Sequence, residues 1–307
     1  KNSGDQIINT LNSVKNIINC YTILDTGSSD NTIDNIKNTL INIPGHVYQQ
    51  PFIDFSTSRN RSLDLSSGQC KYQLILDDSY VLNGAELLID LLKKIDKPGF
   101  AIKITNNTSN IYYSYRIIRT SDKIRYKYKV HELLQFDNHN TDIHIIKKDD
   151  IYITDMVNPE MIQRTNNRIY NDLEFLQQDI EIYPNDPRLL CYIGIIHFIL
   201  NNFDKSIEYF ENCIKQTKFK NYCFVSYSYL YSIYKTKSDV DIVSFLHDFK
   251  NTFPDRAEPL FFLALYFYSN KQYQKTLKTL KLASKINIPD SLFPIDTDIY
   301  NKEIPFL

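Results

Sequence analysis

Several common features are missing from this sequence. Its 307 residues include no tryptophan, only 7 glycines, and 9 arginines against 26 lysines. The longest apolar runs fall far short of the ~18–20 residues that a membrane-spanning helix needs, and no charged-then-apolar signal segment opens the chain. With 35 basic and 36 acidic residues the formal net charge is −1, which argues against a broad nucleic-acid surface. We expect neither a transmembrane segment nor a nucleic-acid partner.

What remains is an ordinary foldable composition with a codon bias. Hydrophobic residues make up 43% and charged residues 23% of the chain, and its length suggests two domains. The chain holds 29 Asn, 26 Lys and 23 Tyr but only 5 Ala. Asn, Ile, Lys and Tyr have AT-rich codons, so the bias indicates an AT-rich genome, such as that of a low-GC bacterium, a protist or a large DNA virus. The bias says nothing about function.

The cysteines indicate the redox environment. They are odd in number, widely spaced, and form no C-x-x-C pair, which is typical of reduced thiols. We therefore expect a reducing, cytoplasmic location, viral or host. A zinc cluster is not expected, because no close Cys and His pairs supply its ligands. The five are Cys20, Cys70, Cys191, Cys213 and Cys223.

The first half of the chain alternates helical and strand-like patterns. Two predicted strands end in polar, carboxylate-bearing loops with helical segments between them, which is typical of a doubly wound α/β domain. Ligands of such domains bind beyond the carboxyl ends of the strands. We expect Ser29 or Asp30 to cap the second helix. The predicted helices cover 6–18, 33–40 and 59–65, and the predicted strands cover 20–24, 72–76, 100–105, 111–119 and 124–130.

From about Thr165 onward the pattern becomes almost continuously helical. Small residues at Ser206 and Thr276 lie 70 apart, about two repeats of the ~34-residue tetratricopeptide (TPR) type. A non-repetitive helical bundle is the alternative, and the agreement of period and pattern favours TPR-like packing. The Tyr-rich stretch from Tyr222 to Tyr234 could form a concave binding surface. Core packing is the favoured interpretation, because aromatic residues at helical spacing usually face inward.

Two acidic loops carry the candidate chemistry. The loop from Asp25 to Asp30 places a carboxylate, a glycine and two hydroxyls before a helix, which suits a sugar or nucleotide phosphate; a simple capped turn is the alternative. Asp77 and Asp78 suit a divalent cation that bridges to phosphates. A solvated acidic turn explains them equally well.

Taken together, five segments are far more specific than either loop alone. In order and spacing they resemble the family 2 glycosyltransferases of the GT-A fold, in the subgroup with C-terminal TPR helices. That subgroup typically reads K-N-E, D-T-G-S-T-D-x-T, F-x-x-A-R-N, L-D-A-D-E and v-H-E. The matching segments here are Lys1-Asn2-Ser3, Asp25-Thr26-Gly27-Ser28-Ser29-Asp30-Asn31-Thr32, Phe55-Ser56-Thr57-Ser58-Arg59-Asn60, Leu76-Asp77-Asp78-Ser79-Tyr80 and Val130-His131-Glu132.

The resemblance implies a two-part architecture and a reaction. Residues 1–160 would form a GT-A domain, Rossmann-like with a mixed, mostly parallel sheet, and residues 161–307 an all-α TPR-like domain. The enzyme would transfer a sugar from a nucleotide-sugar, expected to be a UDP-sugar, to a protein or glycan acceptor, with inversion at the anomeric carbon. The helical domain would position the acceptor or mediate self-association into a homo-oligomer.

The resemblance also assigns the donor pocket. Asp25 matches the carboxylate that contacts the nucleotide base, and Gly27, Ser28 and Asp30 belong to the same loop. Arg59 and Asn60 match residues that line the pocket, where the guanidinium fork suits a phosphate.

The remaining assignments concern metal and catalysis. Asp77 and Asp78 fall in the motif that holds Mn²⁺ or Mg²⁺, where the cation would neutralise the leaving diphosphate. Glu132 is the expected general base, and His131 beside it would touch metal or phosphate. The alternative for His131-Glu132 is a structural turn that closes the sheet.

Three departures qualify the resemblance. Ser79 replaces the second Asp of the metal motif and Tyr80 its following acid. Asp155 stands where the subgroup has a histidine, so one hypothesis is a rearranged oxygen site of Asp77 or Asp78 with Asp155. Lys1 lies where the first strand should already have ended, so that strand is expected upstream. The rival function is a catalytically lapsed GT-A domain that acts with its repeats as a protein-interaction module.

Overall fold

The computed structural model describes residues 1–106, 110–122, 124–136, 143–216, 220–289 and 295–304. The chain divides into two units, Lys1–Asn167 and Arg168–Leu307. The expected boundary near residue 160 falls inside the last helix of the first unit, Pro159–Asn167.

Unit 1 alternates helices and strands through most of its length. Its helices are α1 (Gln6–Val14), α2 (Thr32–Thr39), α3 (Phe55–Ser66), α4 (Ala85–Lys94) and α5 (Pro159–Asn167). Its strands are β1 (Tyr21–Asp25), β2 (Gly45–Gln49), β3 (Tyr72–Leu74), β4 (Tyr80–Asn83), β5 (Gly99–Thr105), β6 (Asn110–Arg119), β7 (Ile124–Lys127), β8 (Leu133–Phe136), β9 (His144–Ile145) and β10 (Tyr152–Asp155).

The main sheet of unit 1 is mixed. Strand β5 pairs antiparallel with β6 and parallel with β10 and β9. Strand β4 pairs antiparallel with β10, and β3 antiparallel with β6. The expectation of a mostly parallel sheet is therefore wrong: antiparallel ladders hold β3, β4 and β6 in place. Separate pairs are the parallel β1–β2 and the antiparallel β7–β8.

The core of unit 1 sits around strand β5. Phe100, Ile102 and Ile104 are 0% exposed there, and Ile117 of β6 and Ile153 of β10 are equally buried. Fully burying such a side chain contributes about 1.5–3 kcal/mol relative to leaving it exposed. This packing fixes the positions of the strands, and with them the positions of the polar loops at the strand ends.

Some elements of unit 1 have weak sequence signals and were not expected. Strand β2 begins at Gly45, where a Cβ would stand 2.3 Å from the carbonyl oxygen of Tyr21 in the paired strand. Helix α4 follows strand β4 through Gly84, whose φ of +73° is a conformation that glycine adopts readily. Both elements depend on contacts with segments distant in the sequence.

Unit 2 is helical through most of its described length. Its helices are α6 (Ile169–Ile182), α7 (Pro187–Ile199), α8 (Phe203–Ile214), α9 (Lys220–Tyr234), α10 (Ile242–Thr252), α11 (Glu258–Ser269) and α12 (Tyr273–Ala283). A short extended segment, Ile295–Asp296, and a π-helical turn, Ile299–Glu303, follow.

Helices α7 and α8 pack closely through small residues. Ser206 Oγ donates a hydrogen bond of 2.9 Å to the carbonyl oxygen of Gly194. The fully buried ring of Phe210 lies against Gly194, where an added Cβ would stand 2.6 Å from Phe210 Cε1. The small residues of the expected TPR-like pattern therefore mark a close helix–helix contact.

The Tyr-rich stretch lies in helix α9 and belongs mainly to the core of unit 2. Tyr227 and Tyr231 are buried, and the Tyr227 ring stacks on Phe249 with centroids 4.8 Å apart. The favoured interpretation of core packing is confirmed for these two residues.

Two further expectations concern cysteines and membranes. All five cysteines are free thiols, and Cys20 Sγ lies 3.4 Å from Cys70 Sγ. Within the described ranges, no helix combines the length and the apolar character needed to cross a bilayer.

Candidate functional site

A cavity of about 820 Å³ lies in unit 1 between helices α1 and α3 and strands β1 and β3. Aliphatic residues, such as Leu11 and Leu88, are the largest group in its lining. On the polar side of the cavity, the residues Asp25, Arg59 and Asp77 lie near the carboxyl ends of β1 and β3. The lining includes every residue from Ile17 to Thr26 and from Gln69 to Asp78, so much of the cavity is the gap between the facing edges of β1 and β3. The polar groups lie at the ends of these strands, which is where α/β folds bind ligands.

The loop after β1 is built around the buried carboxylate of Asp25. Its Oδ2 accepts the backbone N–H groups of Gly27 and Ser28 at 3.0 and 2.8 Å, and its Oδ1 accepts the Ser28 hydroxyl. Burial opposes the charge, but these hydrogen bonds lower the pKa of Asp25 below its usual value. Gly27 has φ +97°, which disfavours any side chain. The capped turn considered from the sequence is present.

Asp30 completes this loop by holding the start of helix α2. Its Oδ1 accepts the backbone N–H of Thr32, the first residue of α2, at 3.1 Å, although Asn31 and not Asp30 occupies the N-cap position. Gly27, Ser28 and Asp30 do not line the cavity, whereas Asp25 and Thr26 do.

The first residues of the chain are fastened to the same loop. Asn2 N donates to Ser28 Oγ at 2.8 Å, and Asn2 Oδ1 accepts the N–H of Ser29 at 2.8 Å. Gly4 N donates to Asp30 Oδ2 at 3.0 Å. The segment thereby brings Lys1 and Ser3 to the cavity wall.

Helix α3 carries Arg59, the positively charged side chain at the centre of the site. Asp54 caps it by accepting the N–H of Thr57 at 2.7 Å. One turn further, Arg59 Nη2 donates to Asp77 Oδ1 at 2.7 Å, and Arg59 Nε contacts Glu132 Oε1. The guanidinium also lies over the Tyr126 ring, 5.5 Å from its centroid. Arg59 therefore links the end of β3 to the His131-Glu132 segment.

A second arginine, not expected from the sequence, completes this cluster. Arg116 of β6 places Nη1 3.2 Å from Asp77 Oδ2 and donates from Nη2 to the Tyr80 hydroxyl at 3.1 Å. Burial would raise the pKa of Asp77, but Arg59 and Arg116 lower it to about 2. The scarcity of arginine in this sequence was the only available signal for Arg116.

Asn60 holds helix α3 against strand β7. Its Nδ2 donates to the carbonyl oxygen of Tyr126 at 2.8 Å, and its Oδ1 accepts the Tyr126 N–H at 2.8 Å. Both ends of the amide are thus used by one backbone unit, and Asn60 does not line the cavity. Its observed contacts are structural.

The three expected metal ligands are each engaged in other contacts. Asp77 is held by two arginines, Asp78 Oδ2 accepts the Ser3 hydroxyl, and Asp155 Oδ1 accepts the Ser79 hydroxyl at 2.6 Å. In the part of the chain that the structure describes, no group of three or more His, Cys, Asp or Glu residues could hold a metal ion. These residues do not fit a Mn²⁺ or Mg²⁺ site. Burial, together with the nearby charge of Asp77, raises the pKa of Asp155, although the Ser79 hydrogen bond opposes this shift.

The His131-Glu132 segment lies on the other side of Arg59. Glu132 lines a small cavity of about 80 Å³ with Arg116 and Tyr126 and does not line the large one. His131 has φ +51°, a left-handed conformation that is uncommon for residues other than glycine. Such strain recurs at functional sites and in tight turns.

Comparisons with known proteins give one clear similarity. No family model matches the chain. Over 224 residues it is 23% identical to the SPbeta prophage-derived glycosyltransferase SunS of Bacillus subtilis (strain 168) and to the glycosyltransferase SunS of Bacillus phage SPbeta. The match covers 71% of this chain and 52% of each relative, so the chain spans about half the length of the curated relatives it matches.

Among solved structures the likenesses are weaker. S. aureus TarS 1–349 in complex with UDP-GlcNAc matches 91% of this chain and 87% of that chain at 17% identity, with a TM-score of 0.43. MamA 41-end from Desulfovibrio magneticus RS-1 matches 42% of this chain and 72% of that chain at 19% identity, with a TM-score of 0.33. In sequence, then, this chain is similar to curated glycosyltransferases over more than two thirds of its length.

Proposed function

We propose that this protein is an inverting glycosyltransferase that moves a sugar from a UDP-sugar to a protein or glycan acceptor. The observation that carries the proposal is that Asp25, Arg59 and Asp77 lie together beside two strand ends. The sequence similarity to curated glycosyltransferases supports the same reaction class.

The donor would lie across the polar side of the cavity. A carboxylate has about four acceptor positions, and the contacts of Asp25 with its own loop use three of them. One position remains for an N–H of the nucleotide base. Arg59 presents a planar fork that matches a phosphate, although part of that fork is engaged by Asp77 and Glu132.

The chemical step would be a single displacement. The acceptor hydroxyl gives its proton to Glu132 while its oxygen bonds to the anomeric carbon, and the bond from that carbon to the UDP oxygen breaks. Attack opposite the leaving group inverts the configuration. Arg59 contacts both Glu132 and Asp77, so it would hold the base in a fixed position relative to the donor side of the cavity.

Activity against a panel of nucleotide sugars tests the reaction class. The full chain should hydrolyse or transfer the sugar of at least one UDP-sugar, measured as released UDP. Glu132→Gln should abolish transfer while sparing UDP binding, because the amide cannot accept the proton. Glu86→Gln, at an exposed position of helix α4, is the matched control and should leave transfer unchanged.

Two outcomes contradict the proposal in different ways. Normal transfer by Glu132→Gln would remove Glu132 from the role of base. Failure of the wild-type chain to bind or turn over any nucleotide sugar would favour the lapsed domain that acts as an interaction module.

A further inference from the structure

We propose that Arg59 and Arg116 supply the positive charge at Asp77 and Asp78 that a divalent cation would otherwise supply, so that a nucleoside diphosphate binds here without metal. This inference depends on the proposed function for the identity of the ligand. It is carried by the contacts of the three acidic residues expected to hold the metal.

Asp77 has both carboxylate oxygens engaged. Oδ1 lies 2.7 Å from Arg59 Nη2, and Oδ2 lies 3.2 Å from Arg116 Nη1. Mg²⁺ binds a carboxylate oxygen at about 2.0–2.1 Å and requires near-octahedral geometry. A cation that reached Asp77 would lie beside both guanidinium groups, which repel it.

The neighbouring carboxylates are each engaged by a hydroxyl of the protein. Asp78 Oδ2 accepts the hydroxyl of Ser3, and Asp155 Oδ1 accepts the hydroxyl of Ser79. Ser79 stands at the sequence position where the resembling enzymes have a second Asp. The substitution therefore replaces a potential ligand oxygen with a donor that is used by Asp155.

The formal charges support the exchange of a metal for two arginines. Two carboxylates and one divalent cation sum to zero, and so do Asp77 and Asp78 with Arg59 and Arg116. Glu132 adds one negative charge through its contact with Arg59. Lys1 lines the same cavity and adds one positive charge.

Both arginines are fixed in place before any ligand arrives. Arg116 lies at the register shift of the β5–β6 ladder, between Tyr115 and Ile117, its side chain is 12% exposed, and its Nη2 donates to the Tyr80 hydroxyl. Arg59 is 23% exposed and packs over the Tyr126 ring. Fixed cations need no reorganisation when charge develops on a leaving group. Arg59 would touch the diphosphate, and Arg116 is a positioning residue that acts through Asp77.

Calorimetric titration with UDP and with inorganic pyrophosphate tests the inference. In the full chain, both probes should bind in EDTA, and added Mn²⁺ should change their affinity by less than about threefold. Arg116→Gln should weaken UDP binding in EDTA by about tenfold or more, and Mn²⁺ should then recover part of the loss because Asp77 Oδ2 is released. Arg116→Lys keeps the charge and should lose less.

A matched control comes from the same strand. Arg119→Gln removes an arginine whose partners, Asp96 and Asp122, do not line the cavity. It should leave UDP affinity and its metal response unchanged. Circular dichroism of each variant separates a loss of folding from a loss of binding.

The inference is overturned if wild-type UDP affinity rises tenfold or more with Mn²⁺ and Asp77→Asn removes that rise. It is also overturned if neither probe binds in EDTA, or if folded Arg116→Gln binds UDP like the wild type. Metal-free binding of UDP without turnover of any nucleotide sugar would instead overturn only the proposed function.

Discussion

Arg59 Nη2 lies 2.7 Å from Asp77 Oδ1, and this pair joins helix α3 to the loop after strand β3. The same guanidinium reaches Glu132 through Nε, so three separate segments meet at one side chain. All three segments were recognised from sequence motifs. Their direct contact could not be read from the sequence, because it depends on the packing of α3 against the sheet.

Arg59→Gln should lower the free energy of unfolding by about 3 kcal/mol, the lower end of the range for removing one partner of a buried ion pair. The reason is that Asp77 and Glu132 would lose the cation that they share, although Arg116 would still hold Asp77. Urea denaturation followed by circular dichroism measures the change. Arg61→Gln, on the same helix but exposed, should change stability by less than about 0.5 kcal/mol. Equal losses in both variants would contradict the prediction.

The pH dependence of stability should report Asp77. Its pKa in the folded chain is about 2, below the ordinary value of 3.8, because two arginines favour the carboxylate over the penalty of burial. A depressed folded pKa stabilises the fold above the unfolded pKa, and this contribution is lost as the pH falls from about 4 toward 2. The difference in unfolding free energy between wild type and Asp77→Asn should therefore shrink across that range. A difference that stays constant from pH 7 to pH 2 would refute the assignment.

Gly27→Ala should cost stability and also weaken donor binding. A residue with a side chain at φ +97° is strained by about 1–2 kcal/mol. The added methyl would make only an ordinary contact with Lys1 Nζ, at 3.9 Å. The effect on the donor would come through the Gly27 N–H, which Asp25 Oδ2 accepts at 3.0 Å. Gly68→Ala is the control, since Gly68 has φ +78° but meets nothing within 4 Å. Both variants should unfold more easily, and only Gly27→Ala should reduce UDP affinity in calorimetry. Equal UDP affinity of Gly27→Ala and Gly68→Ala would show that the loop containing Gly27 does not contribute to donor binding.

The sequence predicted local features well where one segment decides them. The Asp25 turn and the Asp30–Thr32 hydrogen bond are set by residues two or three positions apart, so hydroxyl and carboxylate spacing predicts them. Apolar spacing likewise located α1, β1, β5 and β6 to within a few residues. The small residue Ser206 correctly indicated a close helix contact in unit 2.

What the sequence could not predict depends on strand pairing and helix docking. Arg116 meets Asp77 because Ile75 N donates to the carbonyl oxygen of Arg116, at 2.7 Å, beside the end of β3. That register is antiparallel, whereas the expected sheet was mostly parallel. For the same reason, the contact of Arg116 with Asp77 could not be predicted from the sequence.

Asn60→Ala should destabilise unit 1 without a specific loss of donor affinity. The variant leaves the N–H and carbonyl of Tyr126 without their partner, at a cost of about 1–3 kcal/mol for a poorly solvated group. Asn60→Asp keeps an acceptor for the N–H of Tyr126 but loses the donor to its carbonyl. Its stability should therefore lie between that of the wild type and that of Asn60→Ala. Thermal unfolding measures stability, and UDP titration of the folded variants measures affinity. If the Asn60→Ala chain is folded but binds UDP tenfold more weakly, Asn60 does contribute to the donor pocket.

Gly194→Ala should destabilise unit 2 through a clash with one ring. The added Cβ would stand 2.6 Å from Phe210 Cε1, and Phe210 is 0% exposed, so the ring has no open space to enter. Overpacking of this kind costs about 1–3 kcal/mol. Phe210→Leu alone leaves a cavity, but combined with Gly194→Ala it should recover part of the loss, since the smaller side chain makes room for the methyl. Urea denaturation of the two single variants and the double variant measures this coupling. Losses that simply add would show that α7 and α8 can move apart, and that the close contact at Gly194 is not what limits their packing.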